Sequence, residues 1–198
     1  MSGILDLLHS DQGNTIINGI SRETSTEQNK TKDVLALAMP LLMAAMRRNV
    51  QSQDGAQSLL QALNDKHDGS ILENLGGFFG GGVNEEQKTD GNKILGHILG
   101  AKRPAVENTL SRKSGLDMRT VTEILRVAAP LVLGILAKEK KQKDVHSPGG
   151  LESLLGGLLG GSSSGNSQGS LESILDADGD GSIMDDIAGM VFGKGNKQ

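Results

Sequence analysis

Apolar residues in this chain are densest in two stretches of like pattern, residues 34–48, VLALAMPLLMAAMRR, and residues 124–138, ILRVAAPLVLGILAK. Each is apolar on almost every face and holds a proline near its middle, Pro40 and Pro130. A helix without a polar face has to be buried. The unbroken apolar run 34–46 is too short to cross a bilayer, which takes about 20 residues. Both stretches therefore read as core helices, the twin axes of a bundle. Helical spacing continues around them: Ile4, Leu5, Leu7 and Leu8 suit a short helix over 2–9, Ile16, Ile17 and Ile20 one over 14–22, and residues 58–63 a third. Thr31 stands where it could cap the first core helix. Pro40 and Pro130 lack an N–H and crowd the carbonyls of Ala36 and Arg126, so each core helix is predicted to kink.

The pattern also repeats. The word GNTIINGI at 13–20 is answered by GNKILGHI at 91–98. At a constant offset of ninety residues, Ile20-Ser21-Arg22 meets Leu110-Ser111-Arg112, and Met39-Pro40-Leu41-Leu42 meets Ala129-Pro130-Leu131-Val132. At an offset of eighty, GSILENLGGFFGG (69–81) meets GGLESLLGGLLGG (149–161). Blocks recurring in one order point to an internal duplication of a supersecondary unit that cannot bury its apolar helix alone. The predicted fold is all-α: a helical bundle with one domain over 1–147, made of repeats at about 1–82 and 90–147.

Composition sharpens this. Of 28 glycines, 9 fall in 69–100 and 13 in 149–198, so turn-rich ground is confined to two zones. The glycine-apolar words there lack the lysine of a phosphate loop and follow no strand, so they read as linkers. Residues 148–169 are expected to be a Gly/Ser-rich linker, and 170–198 an Asp-rich loop with a helix over about 183–192. Three phenylalanines are the only aromatics, which removes the usual stacking platforms for single-stranded nucleic acid. The absence of cysteine excludes disulfides and thiolate chemistry, and no secretory signal opens the chain; the expected location is the cytoplasm. No transmembrane segment is expected.

Candidate chemistry is sparse. Asp176, Asp178, Asp180, Gly181, Ser182 and Ile183 occupy positions 1, 3, 5, 6, 7 and 8 of an EF-hand-type loop, a spacing that wraps oxygens around one Ca2+ ion. Position 12 is Ile187 instead of the bidentate acid, with Asp185 and Asp186 just short of it, so a calcium site here would be weak. The candidate ligands are Asp176, Asp178, Asp180, Ser182 and Asp186. The same residues also read without a metal, because Ser182 and Asp185 form a capping box.

Residues 106–126 carry a second motif. Val106, Ser111, Gly115, Val121 and Ile124 hold the small, turn and apolar positions of a helix-turn-helix, which would turn Arg119, Thr122 and Arg126 toward DNA. Residues 102–143 hold 10 Lys/Arg against 4 Asp/Glu. Yet the would-be recognition helix runs straight into the apolar core, and such corners are common in bundles that bind no DNA. A structural corner is favoured and nucleic acid is not the expected partner. The four histidines are scattered, and the run Asp65-Lys66-His67-Asp68 reads as a solvated loop. No catalytic constellation emerges, so no enzyme is expected.

Taken together, the N-terminal ILDLL, the proline-centred apolar helix, LLGGLLGG and the C-terminal DADGDGSIMDDIAGM resemble a bacterial family, domain of unknown function 937, related to YidB-like proteins. The resemblance implies an all-helical bacterial protein and carries over no catalytic residue. The expectation is a non-enzymatic interaction or scaffold protein with a protein partner, a calcium-type loop near its end and no small-molecule substrate; the alternative is a DNA-binding regulator using 106–126.

Overall fold

The computed structural model describes residues 7–160, and among these the fold is all-α with no strand. Helix α1 (Asp11–Glu23) starts at Ser10, whose Oγ accepts from Gly13 N at 3.1 Å, and buries Ile16, Ile17 and Ile20. Helix α2 (Gln28–Asn49) contains Pro40 and turns sharply into α3 (Gln53–Asp65). A 3-10 turn (Ser70–Leu72) and the short α4 (Leu75–Phe79) follow. Helix α5 (Glu85–Leu99) opens on a capping box between Asn84 and Gln87. A second 3-10 turn (Gly100–Lys102) leads to α6 (Arg103–Ser114), then α7 (Met118–Gln142) and α8 (Pro148–Gly160).

The two apolar stretches lie in α2 and α7, but they are unequal. Residues 127–137 of α7 are buried without a break, whereas α2 leaves Ala36, Leu37, Pro40, Ala44 and Ala45 only half-buried. One hub, not twin axes, runs through the bundle. Helix α7 is also the one helix among the described residues long and apolar enough to cross a membrane, and 78% of its most apolar window is buried against other helices.

What covers α7 is mainly α5, its most extensive partner. Close approach depends on Gly91, where a Cβ would overlap the Arg126 carbonyl oxygen. That carbonyl lies four residues before Pro130, which has no N–H to offer it. Further along, the 69–72 segment crosses α7 at Gly134, where a Cβ would meet Ile71 Cγ2 at 2.7 Å. Gly91 on α5 and Gly134 on α7 thus set how closely these segments rest on the hub.

Three expectations change. Thr31 does not cap α2: the helix begins at Gln28 after Glu27, and the Thr31 hydroxyl is buried without a partner. The start of the expected linker, 148–160, is α8, with Leu151, Leu154, Leu155 and Leu158 buried against α2 and α3. Its counterpart in 69–81 likewise folds, burying Leu75 and Phe78. Leucines three and four apart suffice to bury one face of the helix.

The α1–α2 and α6–α7 corners are alike in detail. Ser21 Oγ donates to Thr26 O, and ninety residues on Ser111 Oγ donates to Leu116 O. Thr24 Oγ1 donates to Ile20 O at 2.8 Å, as Ser114 Oγ does to Leu110 O at 2.7 Å. Ser25 and Gly115 hold the same left-handed position, φ 50° and 70°. Glycine meets that conformation without strain, and serine does not.

Candidate binding groove

Between the end of α2, α3 and α5 runs a groove of about 800 Å³. The α2–α3 corner that forms one wall is tight: Ser52 caps α3 by accepting from Gly55 N at 3.1 Å, and a Cβ at Gly55 would overlap Asn49 O. Asn49 Nδ2 donates to His97 O and Ile98 O, each at 3.1 Å, tying the end of α2 to the end of α5. The apolar lining comes from Met46, Leu59, Ala62, Ile94, Ile98 and Leu133. Arg48, Asp65, Lys66 and Lys93 supply charged lining around it. An apolar surface with a polar border and a few charges is the common form of a site that takes a helix or small ligand.

At one end stands His67, whose Nε2 lies 3.5 Å from Asp90 Oδ2. The expected solvated loop is only partly that, since the His67 side chain is just 10% exposed. Burial holds the imidazole below its ordinary pKa, aided by Lys66 and opposed by Asp90. A second cavity of about 500 Å³ shares Lys66, His67 and Asp90 with the groove and continues past Ser70, Asn74, Phe78 and Gln87 to Pro130. The His67–Asp90 pair is therefore the partition between two clefts. Sequence reasoning missed it because Asp90 reaches His67 only through the placement of α5; the one local signal was the polar run 65–68.

Nearby, Glu23 holds the start of α5 to α1. Its Oε1 lies 2.8 Å from Lys88 Nζ and its Oε2 accepts from Val83 N at 3.0 Å. Burial pushes this carboxyl up, but Lys88 and Val83 together leave it below its usual range.

The 106–126 motif does form a helix–turn–helix corner, α6 and α7 joined through Gly115, with Val106, Leu110, Val121 and Ile124 buried. Asp117 caps α7, accepting from Thr120 N at 3.0 Å and from its hydroxyl at 2.6 Å, which holds the carboxyl below its usual range. Met118 is 43% exposed and Arg119 is exposed beside it. The other two groove-facing candidates are engaged elsewhere. Thr122 Oγ1 donates to Met118 O at 2.9 Å, while Arg126 pairs with Glu123 at 2.7 Å and reaches Lys88 O at 3.4 Å.

The calcium-type residues Asp176, Asp178, Asp180, Ser182 and Asp186 lie outside the described residues. Among the described residues, no group of three or more His, Asp or Glu side chains is placed to hold a metal ion.

The profile of the family described as "Bacterial protein of unknown function (DUF937)" matches residues 6–139. The chain belongs to the DUF937 family. All the residues lining the groove fall inside the matched stretch, whereas α8 begins after it. In this DUF937 chain the groove is thus built from the matched stretch, and the helix packed on α2 and α3 lies outside it. No curated protein and no solved structure matches the chain.

Proposed function

We propose that this DUF937 protein is a non-enzymatic helical binding module that takes an amphipathic helix of a protein partner in the groove between α2, α3 and α5. The carrying observation is the groove itself, about 800 Å³, with Leu59, Ile94 and Ile98 lining it and Arg48, Lys66 and Lys93 beside them. An amphipathic helix would bury its apolar stripe on the first set and present acids to the second. The matched corners support an internal duplication as the origin of the bundle that presents it. The loop from Asp176 to Asp186 adds a proposed weak Ca2+ site.

Site-specific photo-crosslinking in bacterial cells tests this reading, with benzoylphenylalanine at Leu59 and, as the control, at the exposed Arg112 on α6. The reading expects discrete adducts from position 59 that position 112 does not give. Identical adduct patterns from the two positions would sink it.

One observation favours the DNA reading, the exposed first turn of α7 with Arg119. Arg126 and Thr122 are engaged, and the exposed cations of this motif, Arg112, Lys113 and Arg119, fall below the six to ten phosphate contacts of a typical site. Retardation of duplex DNA at low salt, abolished by Arg119→Ala, would restore that reading.

A further inference from the structure

The second cavity, beyond the His67–Asp90 partition, has a chemistry of its own. We infer that this space of about 500 Å³, between residues 66–78, α5 and α7, is a binding site for a small carboxylate with a short apolar body. The site stands or falls independently of the helix groove.

Its size and apolar lining suit such a ligand. Small molecules commonly occupy clefts of about 300–1,000 Å³. Phe78 lines this one, buried and set edge-on to Phe79 with the ring centres 4.9 Å apart, and Ile71 and Pro130 continue the apolar surface. A ring or short aliphatic chain laid there would leave water on that side.

The polar lining sets the chemical class. Asn74 and Gln87 both serve helix starts, Asn74 as the cap of α4 and Gln87 in the capping box of α5. Capping uses their oxygens: Asn74 Oδ1 accepts from Gly77 N and Gln87 Oε1 accepts from Asn84 N, each at 3.0 Å. An amide whose oxygen is engaged has chiefly its two N–H donors left for a ligand. Lys66 adds an exposed cation to the same lining. Two acids also line the cavity, and each is already engaged. Asp68 accepts from Ser70 N at 3.0 Å and pairs with Lys141 at 3.6 Å, while Asp90 faces His67 at 3.5 Å.

What remains is a set of N–H donors and one cation beside an apolar surface. A carboxylate takes such donors with both oxygens, and charge strengthens each bond. A neutral amide would bring a single acceptor oxygen and no charge. An amine would bring donors to donors and a like charge to Lys66.

The capping roles make a clean test, because acids serve helix starts as well as amides do. Asn74→Asp keeps a capping oxygen and Gln87→Glu keeps the capping box, yet each turns a donor into a negative charge. Benzoate is titrated into the isotope-labelled full-length protein and followed by NMR, with benzamide and benzylamine as its neutral and cationic counterparts. The side-chain NH2 signals of Asn74 and Gln87, identified by their loss in the two variants, report contact; the backbone signals of Ser70 and Gly77 follow binding in every variant. Benzoate is expected to shift both NH2 signals and to saturate at roughly millimolar concentration, as suits so small a ligand. Binding should weaken about tenfold in each of Asn74→Asp, Gln87→Glu and Lys66→Met, the loss of one charge-assisted hydrogen bond. It should be unchanged in Gln57→Glu, which adds the same charge at an exposed position outside the cavity lining. Benzamide and benzylamine should leave the signals in place. Signals that benzoate does not move, that benzamide or benzylamine move as far, or that benzoate still moves equally in all three cavity variants would overturn the inference.

Discussion

Replacing Gly91 by alanine asks whether α5 lies on α7 as closely as described. An Ala in place of Gly inside a helix ordinarily stabilises it by about 0.5–1 kcal/mol. At Gly91 the new methyl would overlap the Arg126 carbonyl oxygen, a backbone atom in the most buried helix of the fold, which has no rotamer by which to yield. The two helices must separate, and overpacking of this kind costs about 1–3 kcal/mol. Gly96, on the same helix, has nothing within 4 Å of its own Cβ position and is exposed. Gly91→Ala should therefore destabilise by about 1–2 kcal/mol net of propensity, while Gly96→Ala stabilises by about 0.5–1 kcal/mol. In a chain of this size that is a fall of roughly 2–8 °C in Tm for the first and a rise of about 1–4 °C for the second. Urea melts followed by circular dichroism measure both. Were Gly91→Ala to stabilise as Gly96→Ala does, the placement of α5 on α7 would be wrong, and with it one wall of the groove.

The His67 imidazole is held below its ordinary pKa by burial, so folding favours its neutral form. That contribution is complete above about pH 6.5 and is lost as pH falls through the lowered value; His67→Gln should flatten this part of the stability profile, and an unchanged profile would refute the burial. Ser25→Gly should stabilise the α1–α2 corner by about 1 kcal/mol and Gly115→Ala destabilise its counterpart by about as much, since both positions have positive φ; urea midpoints that do not move would refute the matched corners. Calorimetry of the full chain with Ca2+ should give weak heat that Asp178→Ala and Asp180→Ala abolish; heat that survives both substitutions would place the ion elsewhere.

The core was legible because periodicity is local. Residues 34–48 and 124–138 announced α2 and α7, and Ile16, Ile17 and Ile20 announced α1. Their inequality was not legible, because both stretches read alike and only neighbours distinguish them. Helix α5 presses on Arg126 O and Ile71 on Gly134, and α2 has a lighter cover. Composition misled at 148–160, where glycine suggested a linker and four leucines on one face decided the outcome. The groove was invisible for a related reason. Leu59 and Lys93 belong to helices α3 and α5, and no spacing in the chain says that they border one cleft. The Asp-rich loop showed the reverse case, a motif with clear spacing that falls beyond residues 7–160.

The account turns on the groove being occupied in the working protein, and single-cysteine footprinting in living bacterial cells measures that directly. Leu59→Cys in the groove is compared with Ala36→Cys on α2 outside the groove, each position half-buried in the fold. The account predicts that a small maleimide labels position 59 about tenfold more slowly than position 36, a protection of roughly 1.4 kcal/mol. Equal labelling at the two positions would mean an empty groove and would contradict it.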